Sequence, residues 1–347
     1  VCLALFGGYA WWRARTYRDL DLVLEGDFPI EADPEIGFVP VRDAASLRRH
    51  PRAGLAYHVY TSDRRARVSR RGERTAPAVG LLTVGDSFSW GHGVENEDTY
   101  TARLSERWGV PAANLAFSAY GTVQSMQMLQ RSLDLRPRLV VYGFIADHMK
   151  RNISACAPAY GPLCLPFSYV GLDGRGAPVV RRPDPRLFAV NRRFWNEFFF
   201  SKSLGPRQVL AAAEAEVVRL TRTVPYEAPD DPGTRERILE RLLGDMAAQA
   251  GSVPAPLLVV NLPYLERGTT NPIAAPLKDA IAHLQAPNLY LLDLAPMVER
   301  YYANPAAPLL RFERDRHPNP AAHALFASAI DAFVREHGLL APAPLAR

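Results

Sequence analysis

Two short segments carry residue types that together could attack an ester. In Val84-Gly85-Asp86-Ser87-Phe88-Ser89-Trp90-Gly91 a serine follows a short apolar run and a glycine-containing turn. Such a turn lifts a hydroxyl out at the C-terminal end of a strand, where α/β sheets place their ligands, and aims backbone N–H groups at the space beside it. Taken alone, Gly-Asp-Ser is equally a polar strand-to-helix turn with Ser87 as its N-cap. Toward the C-terminus, Arg314-Asp315-Arg316-His317-Pro318-Asn319 sets a carboxylate two residues before a histidine. Asp315 can accept the proton on one ring nitrogen and fix the tautomer, leaving the other nitrogen to deprotonate Ser87. A triad is assembled in space, so the long stretch of chain between the two segments is no obstacle.

The elements that must bring these segments together are legible as an alternation. Val79–Val84, Asn114–Phe117, Arg138–Phe144, Ala255–Leu262 and Leu289–Leu292 are short apolar runs that read as buried strands. Helical stretches fall between them, near Thr99–Trp108 and Val123–Leu135. The pattern predicts an α/β fold, a three-layer α/β/α sandwich around a mainly parallel five-stranded sheet. The last helix is the best marked, with Asn319 as N-cap, Pro320 at its first position and Gly338 just beyond its end. His317 is therefore held on a loop directly before a helix. Residues 78–340 form the expected domain, interrupted at about 151–251 by an insertion expected to cap the site or wall one side of it. Residues 16–77 read as an irregular extension.

Gly85-Asp86-Ser87-Phe88, followed by Gly91-His-Gly-Val94, resembles block I of the SGNH/GDSL hydrolases. Asp315-Arg-His317-Pro-Asn319 resembles their block V. The resemblance covers roughly residues 78 to 338 apart from the insertion, and the two blocks in order are far more specific than either alone. It implies a flavodoxin-like SGNH fold with Ser87 as nucleophile, His317 as base and Asp315 as the group that orients it, with no cofactor and no metal. The activity implied is that of a serine esterase working through an acyl-enzyme, on an acyl (acetyl) ester of a small molecule or a cell-envelope carbohydrate. The same triad would serve an O-acyltransferase, and a non-catalytic carbohydrate-binding module on this fold is the rival from another class.

The departures from the family pattern fall on the acid, which many members carry three residues before the histidine where Arg314 stands here, so that Asp315 must serve, and on the oxyanion hole. The N–H of Ser87 is its first expected donor. Asn114-Leu-Ala-Phe-Ser-Ala-Tyr-Gly121 resembles block II, with Ala119 at the usual glycine and Gly121 as the other donor available. Block III normally offers an asparagine, but Ala146 stands there. Either Asn152 reaches back, or Asp147 and His148 line the site.

Composition excludes several other classes. Apolar residues make up 48% of the 347 and charged residues 22%, ordinary values for a globular protein. The net charge of +5 comes from scattered arginines. The one basic run, Arg64 to Arg71, lacks stacking aromatics or a binding motif, so it reads as a solvated loop rather than a nucleic-acid surface. The first strand turn lacks the glycine pattern and lysine of a P-loop. No Cys/His cluster suggests a metal site. Val1–Trp12 is too short to cross a bilayer, which takes roughly 20 residues. Residues 1–15 are expected to be the remnant of a membrane anchor with the domain in the periplasm or outside, the alternative being a buried N-terminal helix. Cys156 and Cys164 bracket a Pro/Gly-rich loop: either they close a disulfide, which suits an oxidising compartment, or both are free.

Overall fold

The computed structural model describes residues 2–157, 165–184, 186–221, 228–268 and 274–340. Its frame is a nine-stranded sheet made of β1 (Val23–Gly26), β2 (Ala45–His50), β3 (Leu55–Thr61), β4 (Arg67–Val68), β5 (Leu81–Gly85), β6 (Ala112–Asn114), β7 (Leu139–Phe144), β8 (Leu257–Asn261) and β9 (Leu289–Asp293). The spatial order is β1-β2-β3-β4-β6-β5-β7-β8-β9. β6, β5, β7, β8 and β9 are mutually parallel; four of them coincide with the expected apolar runs, and β6 lies just before the run Asn114–Phe117, sharing Asn114 with it. β1 to β4 are antiparallel and join the parallel part through Arg67 opposite Asn114.

The sheet is thus nine-stranded and mixed, which corrects the five-stranded expectation. The four extra strands come from residues 16–77, expected to be irregular. In β2 the inward positions are Ser46, Arg48 and His50, all buried. Polar residues on the core face erase the apolar alternation by which a strand is recognised in sequence. A separate hairpin, Ile30–Asp33 with Gly37–Pro40, completes this region.

The parallel strands send alternate side chains to two cores. Leu81, Val141, Leu258 and Val260 face one, packed against Leu104 of the helix Tyr100–Trp108 and Phe326 and Ile330 of Pro320–Glu336. Leu82, Val84, Val140, Tyr142 and Val259 face the other, against Met128 and Leu129 of Thr122–Gln130 and Ile238 and Leu242 of Pro232–Gly251. Helices on both faces make the three layers. Each fully buried aliphatic side chain contributes about 1.5–3 kcal/mol, so the sheet's position is set from both sides.

The N-terminal helix Cys2–Arg18 lies on the helix Pro206–Thr221. The carboxylate of Glu216, fully buried there, is met by Arg13 Nε at 2.7 Å and by the hydroxyls of Tyr9 and Tyr17. A buried charge persists only when its partners are in place. Tyr17 packs edge-on against Phe194 and Phe198, from the expected insertion. No described helix is long and apolar enough to cross a membrane. In the 151–251 stretch a hairpin (Tyr169–Leu172 with Pro178–Arg181) leads to the helix Arg186–Trp195 and the π-helical turn Asn196–Phe200. Cys156 is disulfide-bonded, whereas Cys164 lies outside the described residues.

Candidate active site

Strand β5 ends at Gly85, whose φ is +148°. A Cβ there would lie 2.6 Å from Ser89 Oγ and 2.7 Å from the carbonyl oxygen of Gly143, so only glycine lets the chain turn this close to β7. Asp86 is the N-cap of the helical turn Ser87–Trp90, its carboxylate accepting from the N–H of Phe88 at 3.0 Å. With Asp86 as the cap, the Ser87 hydroxyl is left for another partner.

That partner is His317. Its Nε2 lies 2.9 Å from Ser87 Oγ, and its Nδ1 lies 2.5 Å from Asp315 Oδ1, which also accepts the His317 backbone N–H at 2.8 Å. The loop bearing these two residues is closed on itself. Arg311 pairs with Pro318 across it, Asn319 N–H donates to Leu310, and the Asn319 side chain both donates to Leu309 O and caps the final helix at Ala322. Burial works to raise the Asp315 carboxyl pKa, but the bonds and charge of His317 outweigh it and hold it below the usual carboxylate value. Asp315 is therefore an anion at neutral pH, the state that fixes an Nδ1–H tautomer and leaves the Nε2 lone pair toward Ser87.

The expected oxyanion donors divide. Ser87 opens a helical turn, where a backbone N–H has no intrahelical acceptor. Ala119 holds φ at +69°, the left-handed conformation a glycine would favour, so alanine has kept the backbone shape of that turn. Gly121 and Asn152 are engaged elsewhere. The N–H of Gly121 donates to Gln124 Oε1 at 2.9 Å. The Asn152 amide is fully buried, its Nδ2 donating to Thr122 Oγ1 at 3.0 Å and its Oδ1 accepting from Thr122 N–H at 2.8 Å. His148 does not line the site either: it is fully buried, with Nδ1 2.7 Å from the hydroxyl of Tyr142. Asp147 faces outward and accepts from Tyr264 at 2.8 Å.

Several residues around the triad were not singled out from sequence. The ring of His92 stacks on that of His317 with centroids 4.1 Å apart, and its Nδ1 lies 3.1 Å from the hydroxyl of Tyr57 on β3. His50 of β2 packs edge-on against His92 at 4.9 Å. Burial first, and then the neighbouring His317, hold His92 well below the ordinary histidine pKa, so it is neutral at pH 7. Arg67 is buried, not solvated as its basic run suggested. Its guanidinium donates to the carbonyls of Trp90, Gly91 and Val94, the backbone on either side of His92. Burial lowers its pKa to about 10, which leaves it charged. Gly91-His-Gly was the available signal for His92; for Arg67 the sequence carried none, because its acceptors are backbone atoms.

His92, Asp315 and His317 also bring possible metal-ligand atoms within 4.8 Å of one another. A contact of 2.5 Å between His317 Nδ1 and Asp315 Oδ1 is a hydrogen bond, shorter than the ~3 Å separating two ligands that each sit about 2 Å from one ion. Beside the imidazole lies a cavity of about 300 Å³ bounded by Leu20, Leu22, His50, His92, Phe199 and His317. The N-terminal region and the 151–251 stretch both contribute to its wall. A larger polar cavity of about 500 Å³, among Arg74, Asn96, Thr101 and Glu106, touches no triad residue.

The sequence matches no family model and none of the curated proteins. Among solved structures it is similar to TesA, at 14% identity and a TM-score of 0.38, covering 74% of this chain and 98% of that one. It is also similar to the psychrotrophic esterase EstA from Pseudoalteromonas sp., at 10% identity and a TM-score of 0.39, covering 74% and 97%. A family two carbohydrate esterase from Clostridium thermocellum is similar at 10% identity and 0.39, covering 77% and 67%. At TM-scores this low the likenesses carry no weight of their own; the side chains around Ser87 must carry the reading.

Proposed function

We propose that this chain is a serine ester hydrolase of the SGNH type. The observation that supports it is the continuous line from Asp315 Oδ1 through both nitrogens of His317 to Ser87 Oγ, at 2.5 and 2.9 Å. In this reading Ser87 Oγ attacks the ester carbonyl carbon while His317 Nε2 takes its proton. The N–H groups of Ser87 and Ala119 receive the oxyanion. Collapse breaks the bond to the alcohol, which leaves with the proton from His317, and an acyl-enzyme remains. Water, deprotonated by the same nitrogen, then releases the acid and restores the serine.

The proposed substrate is a short acyl ester, acetyl above all, on a cell-envelope carbohydrate. The disulfide at Cys156 supports an oxidising compartment of that kind. Water is the proposed acceptor; a sugar hydroxyl in its place would make the same acyl-enzyme an O-acyltransferase, a difference that product analysis reads directly.

The test is turnover of p-nitrophenyl acetate together with covalent labelling by a fluorophosphonate. The wild-type chain is expected to do both, and Ser87→Ala neither. Equal turnover by wild type and Ser87→Ala, or labelling that survives the substitution, would overturn the proposal.

A further inference from the structure

The segment after β7 lacks the family's asparagine, and what it contributes instead is a clamp. The side chain of Asp86, directly before Ser87, is completely buried. Burial pushes its carboxyl upward in pKa, and His148 and Arg151 more than offset this, so the net shift is downward and Asp86 is an anion. Arg151 Nη1 donates to Asp86 Oδ2 at 3.0 Å and, from the same nitrogen, to the carbonyl oxygen of Tyr120 at 2.9 Å. One guanidinium nitrogen thereby ties the turn that presents Ser87 to the turn that carries Ala119. His148 Nε2 lies 3.6 Å from Asp86 Oδ2, and its Nδ1 meets Tyr142, whose hydroxyl donates to Thr122 Oγ1 at 2.8 Å. Asn152 holds the same threonine. Both turns thus rest on the short stretch 142–152.

We propose that Arg151 is the positioning residue that keeps the Ser87 turn and the Ala119 turn in register, so that their backbone N–H groups converge on one oxyanion. The inference rests on the esterase reading and adds to it the group that sets the geometry of the hole. Its physical basis is rigidity: a planar guanidinium holds two acceptors in fixed directions, whereas a lysine ammonium on a flexible stem does not. A misplacement of about 1 Å in such a site costs on the order of 100-fold in rate. Arg151 touches neither the reacting carbonyl nor the nucleophile, so its effect belongs in kcat and not in KM.

Three variants separate this from a merely structural role, assayed with p-nitrophenyl acetate. Arg151→Lys is expected to lower kcat about 10- to 100-fold with KM held within about threefold. Arg151→Ala leaves Asp86 buried without its cation, so the double variant Asp86→Asn, Arg151→Met is made beside it; it removes both charges and keeps an N-cap at residue 86. The double variant is expected to unfold at the wild-type temperature and still show the kcat loss. Millimolar guanidinium is expected to restore part of the activity of Arg151→Ala and none of that of Ser87→Ala. A folded double variant with kcat within twofold of wild type would overturn the clamp alone. So would a loss in Arg151→Lys carried by KM, or a loss in Arg151→Ala that guanidinium leaves untouched. Failure of the wild-type chain to be labelled at Ser87 would instead overturn the esterase reading, and the clamp with it.

Discussion

The two halves of the sheet treat the candidate site differently. The parallel half, β5 to β9, supplies the groups proposed to react: Ser87 at the tip of β5, Ala119 after β6, and the loop of Asp315 and His317 held against the final helix. The antiparallel half, β1 to β4, supplies none of them. It sends Tyr57, His50 and Arg67 against His92 and its flanking backbone, and His92 stacks on the far side of the imidazole. The lesson is a division between the groups proposed to react and the groups that hold them. Parallel strands expose their C-terminal ends at one edge, where turns can present side chains. The antiparallel strands add a wall on which His50 of β2 and Tyr57 of β3 face His92.

The comparison can be broken first where the effect is largest. Asp315→Asn keeps the shape of the loop but sets the wrong tautomer on His317, so kcat for p-nitrophenyl acetate should fall about 10⁴-fold; a drop under tenfold would remove Asp315 from the reacting half. His92→Phe keeps a ring against His317 and deletes the bond to Tyr57. About a tenfold loss in kcat is expected, the equivalent of one ordinary hydrogen bond. Unchanged kcat and KM would show that the antiparallel wall contributes only to folding.

Smaller effects test how each half is held. Asn319→Ala removes the cap of the final helix and should lower the unfolding free energy by about 1 kcal/mol in urea titration. The last effect is read as a slope with pH. His323, fully buried on the inner face of that helix and accepting from Tyr100 N–H at 3.3 Å, has its pKa lowered to about 3, chiefly by burial. Unfolded, it titrates near 6.5, so the unfolded chain binds a proton that the folded chain refuses. Stability from this group is complete above pH 6.5 and is lost as the pH falls toward 3. Urea midpoints between pH 7 and 5 should decline, and His323→Gln should flatten the decline by about one proton. An unchanged slope in that variant would mean the histidine titrates normally.

How much could be read beforehand follows the same division. The five parallel strands, the serine turn, the Asp315–His317 pair and the cap at Asn319 all carry local signals: an apolar run, a glycine, a spacing of two, an N-cap before a proline. The structure places Ser87 Oγ, His317 and Asp315 in the line that the residue types suggested. β2 was illegible because Ser46, Arg48 and His50 occupy its core face. Gly121 and Asn152 were misjudged as donors for a related reason: a sequence shows which groups can donate, but not which acceptor reaches them first.

By itself, then, the sequence determined the elements whose formation depends on near neighbours, and the residue types able to act on an ester. Only the tertiary structure decided that Arg151 bridges Asp86 to Tyr120, that Arg67 grips the backbone around His92, and that His92 lies against His317. The reason is range. Caps, turns and periodicity are settled within a few residues, whereas a bond between distant segments exists only once the strand order of the sheet has set them side by side.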